Sequence, residues 1–363
     1  MKILLAGGGS GGPVSPVLAV ALEIRKLQPA TQFLFVGTKK GPERQMVAPL
    51  GIAFQHIRAA KLRRYFSLAN IFIPANLLIG FIQAWRIVRK FKPDVVFSAG
   101  GYVAVPIAWA ARMMKVRIVI HQQDAQVGLA NKIIAPFADT ITTAFEHTSK
   151  QFYSDSGLFK SKMKLPQWVG NPVREDLFDS RIDARKYFDL HEELPILLVL
   201  GGATGSSQIN ELIEKILPEL VTAHQVVHQT GKDKNKISFK HRNYHPYELI
   251  PFEEYAAILK LAHLVIARAG LSTIAELSAL AKPAIIIPMP HTHQEENAKI
   301  LMYAHAAVVL ESSEATPENL STVIRSVKFN QKRVDMLEKN IGRLMPKHAA
   351  ASIAKIILKD NER

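Results

Sequence analysis

Cysteine is absent from the 363 residues, which excludes disulfide bonds, thiolate nucleophiles and cysteine-held metals and suits a reducing compartment. Acidic residues are scarce: 31 Asp and Glu stand against 46 Lys and Arg, a formal net charge of +15 at pH 7. Such a surface calls for an anionic partner, whether nucleic acid, anionic membrane or phosphorylated substrate, and charge alone does not choose among them. A clean membrane-spanning run is also lacking. Tyr65 to Trp85 contains no charged residue and would be long enough to span, but Asn70, Pro74, Asn76 and Gln83 interrupt it inside a domain that must close on both sides. The start, Met1-Lys2-Ile3-Leu4-Leu5, runs straight into glycines with no room for a leader peptide, so a cytoplasmic location is expected.

What the chain does have is a pair of apolar runs ending in glycines: Ile3-Leu4-Leu5-Ala6 before Gly7-Gly8-Gly9-Ser10-Gly11-Gly12, and Ile196 to Leu200 before Gly201-Gly202-Ala203-Thr204-Gly205. Each reads as a buried parallel strand whose glycines let backbone N–H groups approach a ligand at the start of the next helix, where the helix dipole favours phosphate. Each is echoed downstream. Val95 to Ser98 ends in Gly100-Gly101-Tyr102 and leads to a strand at Arg117 to Ile120 with His121-Gln122-Gln123; Leu264 to Ala267 ends in Arg268-Ala269-Gly270 and leads to Ala284 to Ile287 with His293-Gln294. The pattern predicts an α/β chain of two facing, doubly wound parallel-sheet domains, with polar loops at the carboxyl ends of strands where such sheets bind ligands. With 48% hydrophobic residues, the chain can fill two cores.

A dinucleotide-binding reading is disfavoured: Lys39 and Lys40 leave NADP open, but a dehydrogenase does not explain the second glycine unit, and the usual acid is missing. Gly7, Gly9 and Gly12 match that fingerprint, yet Phe33 to Val36 ends in Gly37-Thr38-Lys39-Lys40, with no carboxylate to hold a ribose. His291 and His293 lack a third ligand at suitable spacing, so no metal site is predicted and both go to a sugar-binding loop. Lys61, Arg63 and Arg64 precede the uncharged stretch, and Phe66, Ile71, Phe72, Ile73 and Trp85 lie within it. These residues are expected to form an interfacial patch, with the cations drawn to an anionic membrane surface; the alternative is an ordinary core helix.

The ordered set Gly8-Gly9-Ser10-Gly11-Gly12 with Pro16, Gly100-Gly101-Tyr102, Gly128-Leu129-Ala130-Asn131-Lys132, Gly170-Asn171-Pro172-Val173-Arg174, His228-Gln229-Thr230-Gly231-Lys232 and Arg268 to Glu276 resembles the MurG family of GT-B glycosyltransferases over essentially the whole chain. The resemblance implies an inverting transfer of GlcNAc from UDP-GlcNAc to the C4 hydroxyl of MurNAc-pentapeptide-diphosphoundecaprenol, lipid I, giving lipid II for peptidoglycan. The enzyme would be peripheral on the cytoplasmic face of the plasma membrane. It implies no obligatory cofactor, with a divalent metal permitted but not required.

On that resemblance the donor lies in the second domain. Gly270, Leu271, Ser272 and Thr273 would meet the UDP diphosphate, Glu276 the ribose, Gln294 and Asn297 the sugar, Arg174 the diphosphate charge and Phe252 the uracil; Thr204 or Ser206 would add a side-chain contact. The acceptor lies in the first domain, on Gly8, Gly9, Ser10, Gly11 and Gly12, with Gly100, Gly101, Tyr102 and Asn131 lining the cleft. The chain departs from the family where a His after the glycine loop is a leading candidate for the base: here it has Pro13, which takes no proton. A carboxylate, Asp124, stands where the family usually has an amide after His121-Gln122-Gln123. Asp124 is therefore the expected base, with His121 orienting it or serving as an alternate.

Domain limits are expected at 1–168 and 169–342, with Gly170-Asn171-Pro172 as hinge and residues 343–363 forming a helix that returns to the first domain. Competing functions are a GT-B transferase acting on diacylglycerol, a UDP-GlcNAc 2-epimerase, and a non-catalytic nucleotide-sugar-binding homologue.

Overall fold

The structure, a computed structural model, describes residues 1–8, 12–59, 73–154, 165–202, 205–234 and 237–359. Two compact units emerge: Met1–Arg174 with Pro346–Arg363, and Glu175–Met345. The border expected at 168 falls at Arg174, and the returning segment begins at Pro346 rather than at 343. The reason lies at Gly170, whose φ of +84° is left-handed and where a Cβ would run into the carbonyl of Pro346. The outgoing and returning strands of chain are thus packed backbone on backbone within the first unit, which only glycine permits.

Among the described residues the first unit holds one parallel sheet of β1 (Lys2–Ala6), β2 (Gln32–Gly37), β3 (Ala53–His56), β4 (Val95–Ser98), β5 (Arg117–Gln122), β6 (Thr140–Thr143) and β7 (Gln167–Trp168), in the order β3-β2-β1-β4-β5-β6-β7. The second unit repeats the plan with β8 (Ile196–Leu200), β9 (Gln225–Gln229), β10 (Tyr244–Tyr247), β11 (Leu264–Ala267), β12 (Ala284–Ile286) and β13 (Val308–Val309), ordered β10-β9-β8-β11-β12-β13. In each sheet the strand order reverses beside its first strand, between β1 and β4 and between β8 and β11. Parallel sheets of this kind bind ligands at that point.

Alternation along the strands explains why both faces are covered. Ile3, Leu5, Phe97 and Val119 pack with Val17, Val20 and Ile24 of the helix Val14–Leu27 and with Ile353 and Ile357 of the helix Ala349–Lys359. Leu4, Val96, Ile118 and Ile120 face the other way, onto Ile107 and Ala111 of the helix Ala104–Met113 and Ala84 and Val88 of the helix Ile73–Phe91. The second unit buries Leu197, Val199, Ile266 and Ile285 against Ile209, Ile213, Leu320 and Ile324.

From Ile73 onward the uncharged stretch forms part of the helix Ile73–Phe91, which has one face in this core. Ala84 and Val88 are buried, while Leu78 is 61% exposed. Trp85, assigned from sequence to the interfacial patch, instead packs against the core with the Arg89 guanidinium 5.0 Å above its ring. Lys61, Arg63, Arg64, Phe66, Ile71 and Phe72 lie outside the described residues, as does the side chain of Ile73. Among the described residues no helix is long and apolar enough to cross a membrane.

The returning helix is held by polar bonds as well as by Ile353 and Ile357. Arg117, at the start of β5, donates from Nη1 to the carbonyl of Ile357 at 2.9 Å and from Nη2 to that of Ile356 at 2.8 Å. These are carbonyls near the helix end that no further turn can satisfy. Replacing the guanidinium by a side chain of similar bulk, Arg117→Met, is expected to cost about 1.5–3 kcal/mol. The readout is hydrogen exchange, with protection lost first in the helix Ala349–Lys359.

Candidate functional site

In the first unit, two glycine segments meet at the point where strand order reverses. Gly7 and Gly8 follow β1, and Gly100, Gly101 and Tyr102 follow β4. Gly100 and Gly101 have φ of +99° and +89°, and a Cβ on Gly101 would lie 2.8 Å from the carbonyl oxygen of Gly8. The two turns are therefore stacked through bare backbone, and any side chain would part them. Ser98 fixes the second turn: Gly100 N–H donates to its Oγ at 3.0 Å. Gly9, Ser10 and Gly11 lie outside the described residues; Gly12 is exposed and Pro13 opens the helix Val14–Leu27 without a side-chain cap.

The next strand end, after β5, is a buried polar lattice. Asn131 is 2% exposed; its Nδ2 donates to the carbonyl of His121 at 3.0 Å and to Gln122 Oε1 at 2.8 Å. Gln122 Nε2 in turn donates to the carbonyls of Asp124 and Gln126, so the loop carrying Asp124 is shaped by side-chain bonds. Asp124 itself is partly exposed.

His121 takes a different place from the one expected. It is 0% exposed, with Nδ1 3.0 Å from Thr142 Oγ1 and Nε2 3.1 Å from Asn171 Oδ1. Burial lowers its pKa to about 4 despite the Asn171 bond, so the ring is neutral at pH 7, donating through one nitrogen and accepting through the other. Its ring partners are Thr142 and Asn171 and not Asp124, so it ties β5 to β6 and to the Gly170-Asn171-Pro172 segment.

The second unit is assembled in the same way. Gly270 caps the helix Leu271–Ala279 with no side-chain bond, and a Cβ there would meet nothing within 4 Å. Ile274 N–H is the first to bond back, to the Gly270 carbonyl, which leaves the N–H groups of Leu271, Ser272 and Thr273 at the positive end of the helix. Leu271 is 5% exposed, so only its backbone is available; the Ser272 and Thr273 side chains are half-buried. One turn on, Glu276 accepts a 2.6 Å hydrogen bond from Tyr255 Oη. Burial pushes the carboxyl up to about 7, and the Tyr255 bond acts in the opposite direction. Tyr255 itself is held well above its ordinary value by burial and by Glu276, so it donates throughout the physiological range.

Burial bears on two donor-side expectations. Ser206 is 5% exposed; its Oγ accepts from Ile209 N–H, capping the helix Ser207–Ala223, and from Arg268 Nη2 at 2.7 Å. Asn297 is 0% exposed and donates to the carbonyl of Ala269 at 3.2 Å. Both support the glycine turns from beneath instead of reaching a sugar. Arg174 is the last residue of the first unit, not part of the second. Gln294 keeps its place at the start of the helix Gln294–Tyr303, half-exposed and accepting from Met289 N–H. Phe252 begins the helix Phe252–Leu261 and leans on Tyr255, ring centroids 6.3 Å apart. Thr204 lies outside the described residues. His291 and His293 are exposed on the loop before Gln294, and no group of three metal-ligating side chains occurs among the described residues.

Two organising residues escaped assignment from sequence. Arg268 is 8% exposed and donates to the carbonyls of Ile287 and Pro288, to Ser206 and to Gln208 Oε1, lacing β8, β11 and β12 together below the turns. Tyr255 is the other. Arg268 precedes a glycine turn, which marks it as a place to look; nothing in the local sequence pairs Tyr255 with Glu276, 21 residues away.

Comparison with known proteins agrees with this plan. Residues 3–143 match the glycosyltransferase family 28 N-terminal domain and residues 196–356 the family's C-terminal domain. The UDP-N-acetylglucosamine--N-acetylmuramyl-(pentapeptide) pyrophosphoryl-undecaprenol N-acetylglucosamine transferase of Listeria monocytogenes serotype 4a is 34% identical, covering 99% of each chain. That of Clostridium perfringens strain SM101 is 37% identical over 92% of this chain and 91% of its own. Among solved structures, MurG of Acinetobacter baumannii superposes with a TM-score of 0.71 at 23% identity over 99% of both chains. The UDP-GlcNAc 2-epimerase of Neisseria meningitidis gives 0.67 at 16% identity, over 99% of this chain and 100% of its own. The fold is thus GT-B, shared by transferases and epimerases, and the sequence relationship decides between them: the chain belongs to glycosyltransferase family 28, in its MurG branch.

Proposed function

We propose that the protein transfers GlcNAc from UDP-GlcNAc to the C4 hydroxyl of the MurNAc-pentapeptide of lipid I, with inversion, to give lipid II. The observation that carries this reading is sequence identity of 34–37% to transferases of that name across more than nine-tenths of the chain. The glycine turns at both points of strand reversal supply the anion-binding backbone that two diphosphate-bearing substrates require.

In this reading the helix Leu271–Ala279 receives the donor diphosphate on the N–H groups of Leu271, Ser272 and Thr273, stabilising charge on the departing UDP. Glu276 holds the ribose, Gln294 the sugar and Phe252 the uracil side, while Arg174 adds positive charge. The acceptor diphosphate lies on the loop from Gly8 to Gly12, beside Gly100, Gly101 and Tyr102, with Asn131 beneath. Asp124 removes the proton from the C4 hydroxyl as its oxygen bonds to the anomeric carbon and the bond to UDP breaks.

Labelled GlcNAc and a soluble short-chain analogue of lipid I test the reaction. Equimolar disaccharide and UDP, formed only with acceptor present, are expected; UDP release without acceptor would overturn the reading in favour of the epimerase class. Asp124→Asn should lower kcat by about 10²- to 10⁴-fold, the range of a general base, with donor KM little changed. Parental turnover would remove Asp124 from the mechanism.

Tyr255→Phe tests the donor side. Loss of a bond that favours the Glu276 carboxylate is expected to raise its pKa further, by about one to two pH units for a charge-assisted bond of about 1.5–3 kcal/mol. Because the ionised form accepts ribose hydroxyls, donor KM at pH 7 should rise several-fold in the variant and recover at higher pH, where the wild type shows little change. A KM that rises equally at every pH would contradict this role for the pair.

We further assign membrane docking to the first unit. Leu77, Leu78, Phe81, Trp109, Met113 and Phe137 line an apolar groove of about 630 Å³ with Arg112 beside it. Met113 is 68% exposed, and Arg86, Arg89 and Lys90 are exposed further along the helix Ile73–Phe91 that supplies Leu77, Leu78 and Phe81. Apolar burial of about 1.5–3 kcal/mol per side chain and about 1 kcal/mol per cation near an anionic leaflet suffice for peripheral binding. Leu78→Asp with Met113→Asp should reduce co-sedimentation with phosphatidylglycerol vesicles more than tenfold while leaving turnover of the soluble acceptor unchanged.

A further inference from the structure

Beside the glycine turns lies a second pocket that the reaction described above does not use. It has a volume of about 590 Å³ and is lined by Lys39, Lys40, His56, Arg58, Gln83 and Tyr102, among others. Sheet order explains its position. Lys39 and Lys40 follow β2, Arg58 follows β3, and Tyr102 follows β4, while β1 with its glycine loop lies between β2 and β4. All four loops emerge at the carboxyl ends of adjacent parallel strands, so the pocket continues the rim on which the glycine loop sits.

The cationic turn is built, not merely a run of surface lysines. Thr38 Oγ1 accepts from Gly41 N–H at 2.9 Å and lies 3.0 and 3.1 Å from the two carboxylate oxygens of Glu43, which is 0% exposed. The Glu43 carboxylate lies under both Gly41 and Gly8, at each of which a Cβ would collide with it. One buried side chain therefore lies against both the Lys39-Lys40 turn and Gly8 at the end of the first apolar run. On the other wall, Arg58 N–H donates to Gln83 Oε1 at 2.7 Å, which fixes the segment carrying the Arg58 side chain.

We propose that this pocket binds the carboxylates of the acceptor's stem peptide. The proposal rests on the functional reading above, in which the acceptor diphosphate occupies the glycine loop. From β1 to β3 is two strand spacings, about 10 Å. An extended peptide covers that in about three residues, within reach of the pentapeptide named for the relatives' substrate. Three cations and a histidine suit acidic side chains and a carboxyl terminus, and Tyr102 lines the pocket as well as the second glycine turn.

The test compares two soluble lipid I analogues, one with free peptide carboxylates and one with them amidated, on the full chain and on the triple variant Lys39→Gln, Lys40→Gln, Arg58→Gln. Each exposed ion pair should contribute about two- to fivefold. The variant is thus expected to raise KM for the free-acid acceptor about eightfold or more, with the difference shrinking in high salt. For the amidated acceptor the variant and the wild type should have the same KM, and donor KM should hold, showing that the fold is intact. Equal losses on both acceptors, or none on the free acid, would overturn the proposal. So would a defect seen only as weaker binding to phosphatidylglycerol vesicles, which would mark the pocket as lipid-facing. Failure of the wild type to use either acceptor would instead overturn the functional reading.

Discussion

The close approach of Gly101 to Gly8 is the contact on which the first unit's site depends. It exists because β1 and β4 are neighbours at the point where strand order reverses, and because neither turn carries a side chain that would hold the backbones apart. A Cβ at Gly101 would stand 2.8 Å from the Gly8 carbonyl, so the cost of any other residue is a displaced loop and not a local clash. The second unit also relies on bare backbone, with Gly201 packed on Ser206 N–H in its own turn and Gly205 on the Thr230 carbonyl after β9. Both sites are made of peptide groups, and recognition by peptide groups constrains shape more than side-chain identity.

Bare backbone cannot hold its own shape, and the side chains that supply rigidity are buried below it. Asn131 and Gln122 brace the loop after β5, Glu43 and Thr38 the loop after β2, and Arg268 the turns after β8 and β11. Asn210 does the same on the far side of β8, donating to the Thr230 carbonyl while its Oδ1 meets His228 Nε2 at 3.1 Å. Burial holds His228 down to about 3, so this ring, like His121, stays neutral at pH 7 and works as a hydrogen-bonding spacer between strands. A protonated ring at either place would be a charge with no counter-ion in a dry interior. Histidine in these sheets is architecture, which is why Pro13 leaves no buried histidine ready to take over as base.

Much of this was legible in the sequence because it depends on short-range pattern. The apolar runs Ile3 to Ala6 and Ile196 to Leu200, each followed by glycines, identify buried parallel strands and phosphate-type turns without any long-range information. The differences between expectation and placement share one cause. Ser206, Asn297 and His121 are polar residues next to ligand-binding turns, and sequence proximity does not reveal whether such a side chain points up to a ligand or down into the sheet. Asn297 and His121 are 0% exposed, so both point down. Trp85 failed likewise, because a helix with one face in the core and one outside carries apolar residues on both. The Tyr255–Glu276 bond spans two helices and leaves no local trace.

Chemistry on a shared fold then turns on what surrounds the turns. The epimerase of Neisseria meningitidis and MurG of Acinetobacter baumannii superpose on this chain almost equally well, at TM-scores of 0.67 and 0.71, so two Rossmann-like sheets with glycine turns do not by themselves specify transfer to a second substrate. An epimerase works on one soluble molecule and gains nothing from an exposed apolar groove with Arg112 in its lining, or from a cationic pocket bordered by Tyr102. Both features belong to the first unit. A membrane-borne acceptor with a diphosphate, a sugar and a charged peptide asks for an apolar seat, a backbone anion site and a cationic recess. The first unit provides these three within one sheet and its covering helices, and their coexistence, more than the fold, argues for a lipid-linked acceptor.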